Sequence, residues 1–108
     1  MKLESDFKAQ LREDLADLFP GCYLFKQDAN ALPGVPDMLI IHEGWWAMLE
    51  TKRSLKERNN PRPNQEWYVD EFNHMSFAAF IYPENYEEVL NGLQRSFESY
   101  RDARVSQR

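Results

Sequence analysis

Apolar side chains recur along this chain with two periods, and the switches between them divide it into elements. Leu3, Phe7, Leu11, Leu15 and Leu18 return at spacings of three and four, which predicts an amphipathic helix from about Ser5 to Leu18. Ser5 or Asp6 can cap that helix, and Pro20-Gly21 ends it. A short strand of mixed polarity follows from Cys22 to Lys26, then a loop from Gln27 to Pro33 containing Asn30. Met38 to Ile41 and Trp45 to Leu49 are apolar runs flanking His42-Glu43-Gly44, the pattern of a β-hairpin. Beyond it, Arg53 to Arg62 is polar, and Pro61 and Pro63 argue against helix until Pro63 itself, which can serve as a first helical position. A second helix spans about Asn64 to Met75, with Tyr68, Phe72 and Met75 as its buried stripe. Ala78 to Tyr82 is a compact apolar strand, and Tyr86, Val89, Leu90, Leu93, Phe97 and Tyr100 form a last helical stripe. The expected order is helix, three strands, helix, strand, helix: an α/β fold with a short mixed four-stranded sheet flanked by helices.

The ends of the hairpin are unlike its apolar middle. Asp37 opens the first strand, while Glu50 and Lys52 close the second. A connection of two residues, Glu43-Gly44, or of four, His42 to Trp45, places Asp37 opposite Glu50 with Cβ atoms about 5 Å apart. A three-residue loop, with which Gly44 is also compatible, sends Glu50 to the other face. Two carboxylates so close repel each other unless one is protonated or a cation lies between them. Lys52 shares a face with Glu50 because side chains alternate along a strand. Such a pair suits Mg²⁺, usually held by one or two carboxylates, waters and phosphate oxygens. Lys52 could then orient a water or neutralise a phosphoryl group as a point charge. Mn²⁺ takes the same oxygen ligands and could substitute.

Composition narrows the classes further. A chain of 108 residues supports one domain with a modest core. Without an apolar run near 18 residues or a signal peptide, it is expected to be soluble and cytoplasmic. One cysteine, Cys22, excludes an internal disulfide, and with only His42 and His74 it offers no credible zinc site. A net charge of −5 argues against a nonspecific nucleic-acid coat protein. Basic residues nevertheless cluster in Arg53, Lys56, Arg58 and Arg62, directly beyond the charged end of the hairpin, and there we expect DNA contact. Lys26, on the strand leading to that end, could meet phosphate as well. Arg95, Arg101, Arg104 and Arg108 form a second group, and the tail from Arg101 to Arg108 has little to bury and is expected to be mobile.

Pro36-Asp37 on one strand and Glu50-Thr51-Lys52 on the next resemble the PD-(D/E)XK nuclease superfamily. With Gly34-Val35, Gln65 in the following helix and Tyr82-Pro83-Glu84-Asn85 after the last strand, the likeness is to its small VRR-NUC and Holliday-junction-resolvase-like branch, including short phage-type enzymes. It extends from Glu4 to about Leu93, although the Val-Arg-Arg element that names the VRR-NUC group is absent. The resemblance implies a restriction-endonuclease-like αβββαβ core with an extra C-terminal helix. It implies a metal site of Asp37, Glu50 and the Thr51 carbonyl, with Glu4 on the first helix completing it and Glu13 as the weaker alternative. Lys52 would assist the attacking water and Gln65 would support the water or phosphate.

The expected function is therefore a Mg²⁺-dependent DNA endonuclease, structure-selective for branched or junction DNA, with no small-molecule cofactor and no membrane partner. If phage-encoded, it would act in the host cytoplasm. The alternatives are a non-cleaving DNA-binding module and a nuclease subunit of a larger repair, restriction or replication complex. A junction resolvase would be a two-fold dimer. An exposed tryptophan of the Trp45-Trp46 pair would point to a dimer or partner surface; otherwise helices cover both faces of the sheet.

Overall fold

A computed structural model describes residues 4–28 and 31–106, with 105 and 106 in backbone only. Leu3, Asn30 and Arg108 lie outside the described residues. The elements are α1 (Glu4–Leu18), β1 (Tyr23–Lys26), β2 (Met38–His42), β3 (Trp45–Thr51), α2 (Leu55–Arg58), α3 (Gln65–Met75), β4 (Phe77–Ile81) and α4 (Tyr86–Ser106). A 3₁₀ turn, Pro83–Asn85, joins β4 to α4. The sheet has the order β1-β2-β3-β4, antiparallel across the first two pairings and parallel across the third. A parallel neighbour cannot be reached by a tight turn. The chain from Arg53 to Ser76, with α2 and α3, makes that crossover.

The hairpin closes through the two-residue connection. His42 pairs with Trp45, and Glu43 and Gly44 both have positive φ, +53° and +87°, as a type I′ turn requires. Gly44 takes that conformation without strain, and the turn fixes the register of every pair below it.

One face of the sheet carries the core. Met38 and Ile40 pair with Leu49 and Ala47, and all four are buried with Ile81 beneath Phe7, Leu11 and Leu15 of α1 and Val89, Leu90, Leu93 and Phe97 of α4. His42 is buried there too, against the rings of Phe19 and Phe97. On the opposite face α3 covers β3 and β4, with Phe72 edge-on to Trp46. Trp45 faces α4, where it meets Tyr100 and lies under the Arg104 guanidinium. Both tryptophans are thus half-buried under helices, and neither supplies the exposed ring that would have marked a dimer surface.

Several local expectations are corrected. α1 begins at Glu4, so Ser5 and Asp6 lie in its first turn and Glu4 belongs to the helix instead of preceding it. The polar stretch after Lys52 holds one helical turn, α2, because the Ser54 hydroxyl accepts from the Glu57 N–H and Glu84 accepts from the Leu55 N–H. Pro63 precedes α3, which starts at Gln65 after Asn64 in the left-handed conformation. Met75 is exposed where a buried stripe is expected, since α3 has only the narrow β3–β4 strip to pack on. The last helix runs through Ser106, well past Tyr100. Its added turns find partners outside the apolar stripe: Arg104 on Trp45, and Arg101 3.7 Å from Glu43. Among the described residues no helix is long and apolar enough to cross a membrane.

Candidate active site

The register of the hairpin builds the site. Met38 pairs with Leu49, and one step further places Asp37 across from Glu50 at the open end of the sheet. The ladder to β1 continues there as well, since the Gln27 N–H donates to the Asp37 carbonyl at 2.9 Å. Pro36, with no N–H to donate, is buried just before this position. Asp37 is held by the neighbouring strand: the Thr51 N–H donates to Oδ1 at 3.2 Å and the Thr51 hydroxyl to Oδ2 at 2.6 Å.

Glu50 and Lys52 are both buried. Burial, reinforced by the facing Asp37 and opposed by Lys52 and Lys8, pushes the Glu50 carboxyl up to about 8. The Lys52 ammonium donates to Gln65 Oε1 at 2.8 Å, and the same oxygen accepts the Arg62 N–H at 2.9 Å. Gln65, the first residue of α3 and buried, is thereby anchored by the loop that precedes it.

A cavity of about 1100 Å³ opens over these groups, with Glu4, Asp37, Glu50, Lys52 and Gln65 in its wall. Gly34 holds that wall closed. Its φ is +94°, and a Cβ there would stand 2.7 Å from the Asn64 Cβ and 2.9 Å from the Pro63 carbonyl oxygen. The loop before β2 and the loop before α3 therefore touch only because residue 34 has no side chain.

The basic residues divide. Lys26, Arg53 and Arg62 line the cavity. Arg53 is engaged with Glu57 at 2.7 Å, while Lys56 is exposed and away from the cavity wall. Arg58 stacks over the Phe80 ring and pairs with Glu66 at 3.0 Å, which makes it part of the packing between α2, α3 and the sheet. Glu13 is exposed on α1 and outside the cavity wall.

Lys8, which the sequence reading passes over, bridges two of the acids: its Nζ is 3.1 Å from Asp37 Oδ2 and 3.5 Å from Glu4 Oε1. Burial pulls this amine down, but Asp37 and Glu4 outweigh burial and hold it above its usual value. The sequence signal was the i, i+4 spacing of Glu4 and Lys8, with Lys8 one position after the buried Phe7. The Thr51 hydroxyl also acts at the site, where the resemblance implies a role for its carbonyl alone.

The donors facing the cavity are oxygens with no cysteine or histidine among them, which suits a hard cation that keeps part of its water shell. Among the described residues no group of three or more His, Cys, Asp or Glu side chains is gathered to hold an ion, so a metal here would rest on Asp37 and Glu50 as a pair. Glu4 reaches the cavity wall, tied to Lys8. Comparison with protein-family models, curated proteins and solved structures finds no match, so the site's own chemistry carries the functional argument.

Proposed function

We propose that this protein is a metal-dependent DNA endonuclease that hydrolyses phosphodiester bonds through a PD-(D/E)XK-type centre, on a restriction-endonuclease-like core, with branched or junction DNA as the preferred substrate. The observation that carries the reading is the opposition of Asp37 and Glu50 across a hairpin whose second strand also delivers the buried Lys52. Structural ion pairs are usually satisfied by their own partners. Here Asp37 has Thr51 and Lys8 as partners, whereas the Glu50 carboxyl is raised by burial and by the facing Asp37.

Asp37 and Glu50 would hold Mg²⁺, or Mn²⁺ in its place, with the Thr51 carbonyl as a further oxygen. Such an ion lowers the pKa of a bound water and stabilises charge on a phosphoryl group. Thr51 orients Asp37 by donating to both carboxylate oxygens. Lys52 places its ammonium in the same cavity and, with one N–H directed to Gln65, keeps two donors for the attacking water or a phosphate oxygen. Gln65 positions Lys52 and accepts from the Arg62 backbone, so its amide is set before substrate arrives. Lys26, Arg53 and Arg62 put positive charge at the rim, where a DNA backbone would pass.

The test is cleavage of a labelled panel of four-way junction, flap, single strand and duplex with Mg²⁺, Mn²⁺ or EDTA. Wild type should cut in either metal, and Asp37→Asn and Lys52→Ala should cut nothing while remaining folded. A wild type that binds DNA and cuts none of the panel in either metal would leave this pocket a binding site only.

A further inference from the structure

Among the described residues, one face of the sheet is exposed at its β1 edge. α3 packs chiefly on β3 and β4, and on that side the edge strand β1 is exposed. The pairing of Tyr23 with Ile41 and Phe25 with Leu39 puts both aromatic rings on the open face, where they are 66% and 47% exposed. Their rings are nearly parallel, 14° apart in plane, yet their centroids are 6.4 Å apart. At that separation the rings do not bury one another, and π surface stays available.

The same face leads into the candidate site. Side chains alternate along β1, and the ladder runs on through the Gln27–Asp37 hydrogen bond. Tyr23, Phe25 and Gln27 therefore form one row that ends at the cavity, in whose wall Asp37 and Glu50 also stand. Phe25 is two residues from Gln27, about 7 Å along the strand. Lys26 and Gln27 both line the cavity. An exposed aromatic pair leading to a cavity in which lysine and arginine stand beside carboxylates has the groups that unpaired nucleic acid needs, rings for its bases and cations for its phosphates.

We infer that this open face is a docking track for single-stranded DNA: unpaired bases stack on Tyr23 and Phe25, and the backbone passes Gln27 into the cavity that Lys26, Lys52 and Arg62 line. The inference rests on the nuclease reading for the direction of the strand and narrows the substrate class to DNA with an unpaired arm. A fully paired duplex hides its base faces and gains nothing from the rings. Continuity of the row with a cavity whose wall carries Lys26, Lys52 and Arg62 for phosphate favours DNA over a second copy of the chain as the occupant.

Binding, read separately from cutting, tests it. The full chain is titrated into a fluorescent oligothymidylate and into a duplex of equal length, in Ca²⁺ and at fixed salt. Tyr23→Ala/Phe25→Ala should weaken oligothymidylate binding about 10- to 100-fold and duplex binding less than about threefold. The ring-preserving exchange Tyr23→Phe/Phe25→Tyr should bind both like wild type. Since both residues are exposed, unchanged thermal melting is the folding control. The inference is overturned if wild type does not bind oligothymidylate, if the double alanine variant binds it unchanged, or if both DNAs lose affinity equally. It is also overturned if wild type sediments as a dimer that the alanine variant dissociates, which would make the face a self-interface. If the panel is uncut while single-strand binding still depends on the rings, the nuclease reading fails and the track stands. If cutting persists and the rings do not matter, the track fails alone.

Discussion

Gln65 Oε1 lies 2.8 Å from the Lys52 ammonium and 2.9 Å from the Arg62 backbone nitrogen, so one amide oxygen joins the end of β3 to the start of α3. A buried ammonium without an acceptor is costly, and removing one partner of such a bond costs about 1–3 kcal/mol. Gln65→Ala should lose stability of that order and cut at least about tenfold more slowly, the fall lying in kcat more than in KM because Lys52 is mispositioned and DNA contacts remain. Gln65→Glu should recover the stability. Chemical unfolding and steady-state cleavage of the three proteins separate positioning from packing.

The raised Glu50 carboxyl has a pH signature. Its folded value, about 8, lies above the ordinary 4.5, so the folded state binds the proton more tightly than the unfolded state. Its stabilising contribution is complete below pH 4.5 and is lost as the pH rises toward about 8. In EDTA, Glu50→Gln should therefore be more stable than wild type at pH 9 by a few kcal/mol, with the advantage shrinking toward pH 4. Urea unfolding across that range checks the sign. Added Mg²⁺ should raise the wild-type melting temperature at pH 9, and leave Glu50→Gln and Asp37→Asn almost unmoved.

Gly34→Ala probes the cavity wall. A methyl group 2.7 Å from the Asn64 Cβ cannot be accommodated without moving backbone, and the φ of +94° adds strain of its own. We expect a loss of about 1–3 kcal/mol, visible in thermal melting, together with weaker DNA cutting because the loops that lead into Asp37 and Gln65 no longer meet.

These relationships differ in how far the chain announced them. The Asp37–Glu50 opposition followed from a turn length and a period of two, both local, and Glu43-Gly44 supplied the turn that the register needs. The other strands and the helices α1, α3 and α4 are written the same way, in runs and stripes, whereas α2 is not, because it depends on Ser54 and the distant Glu84 for its caps. Lys8 was not, because meeting Asp37 depends on how α1 lies across the sheet, which periodicity does not encode. Met75 failed for the converse reason: its helical spacing is correct, but β3 and β4 offer too narrow a strip to bury it. The continuation of α4 beyond Tyr100 brings Arg104 onto Trp45, a contact between residues far apart in sequence that no local rule joins.

The basic stretch shows the same limit and yields the last prediction. In sequence Arg58 and Arg62 are equivalent cations on one polar segment. In the fold Arg58 lies over Phe80 and pairs with Glu66, whereas Lys26 and Arg62 line the cavity and, among the described residues, form no ion pair. Each phosphate neutralised by a protein cation steepens the dependence of DNA affinity on salt by about one unit of logarithmic slope. Lys26→Ala and Arg62→Ala should each reduce that slope by about one while leaving the melting temperature near wild type. Arg58→Ala should do the reverse, lowering stability by about 1 kcal/mol through the lost cation–π contact and leaving the slope intact. Affinities measured over a salt series with a junction substrate, alongside melting curves, distinguish the two behaviours. An Arg58 variant that flattens the salt dependence as strongly as the Arg62 variant would place the DNA path over α2 instead of through the cavity mouth.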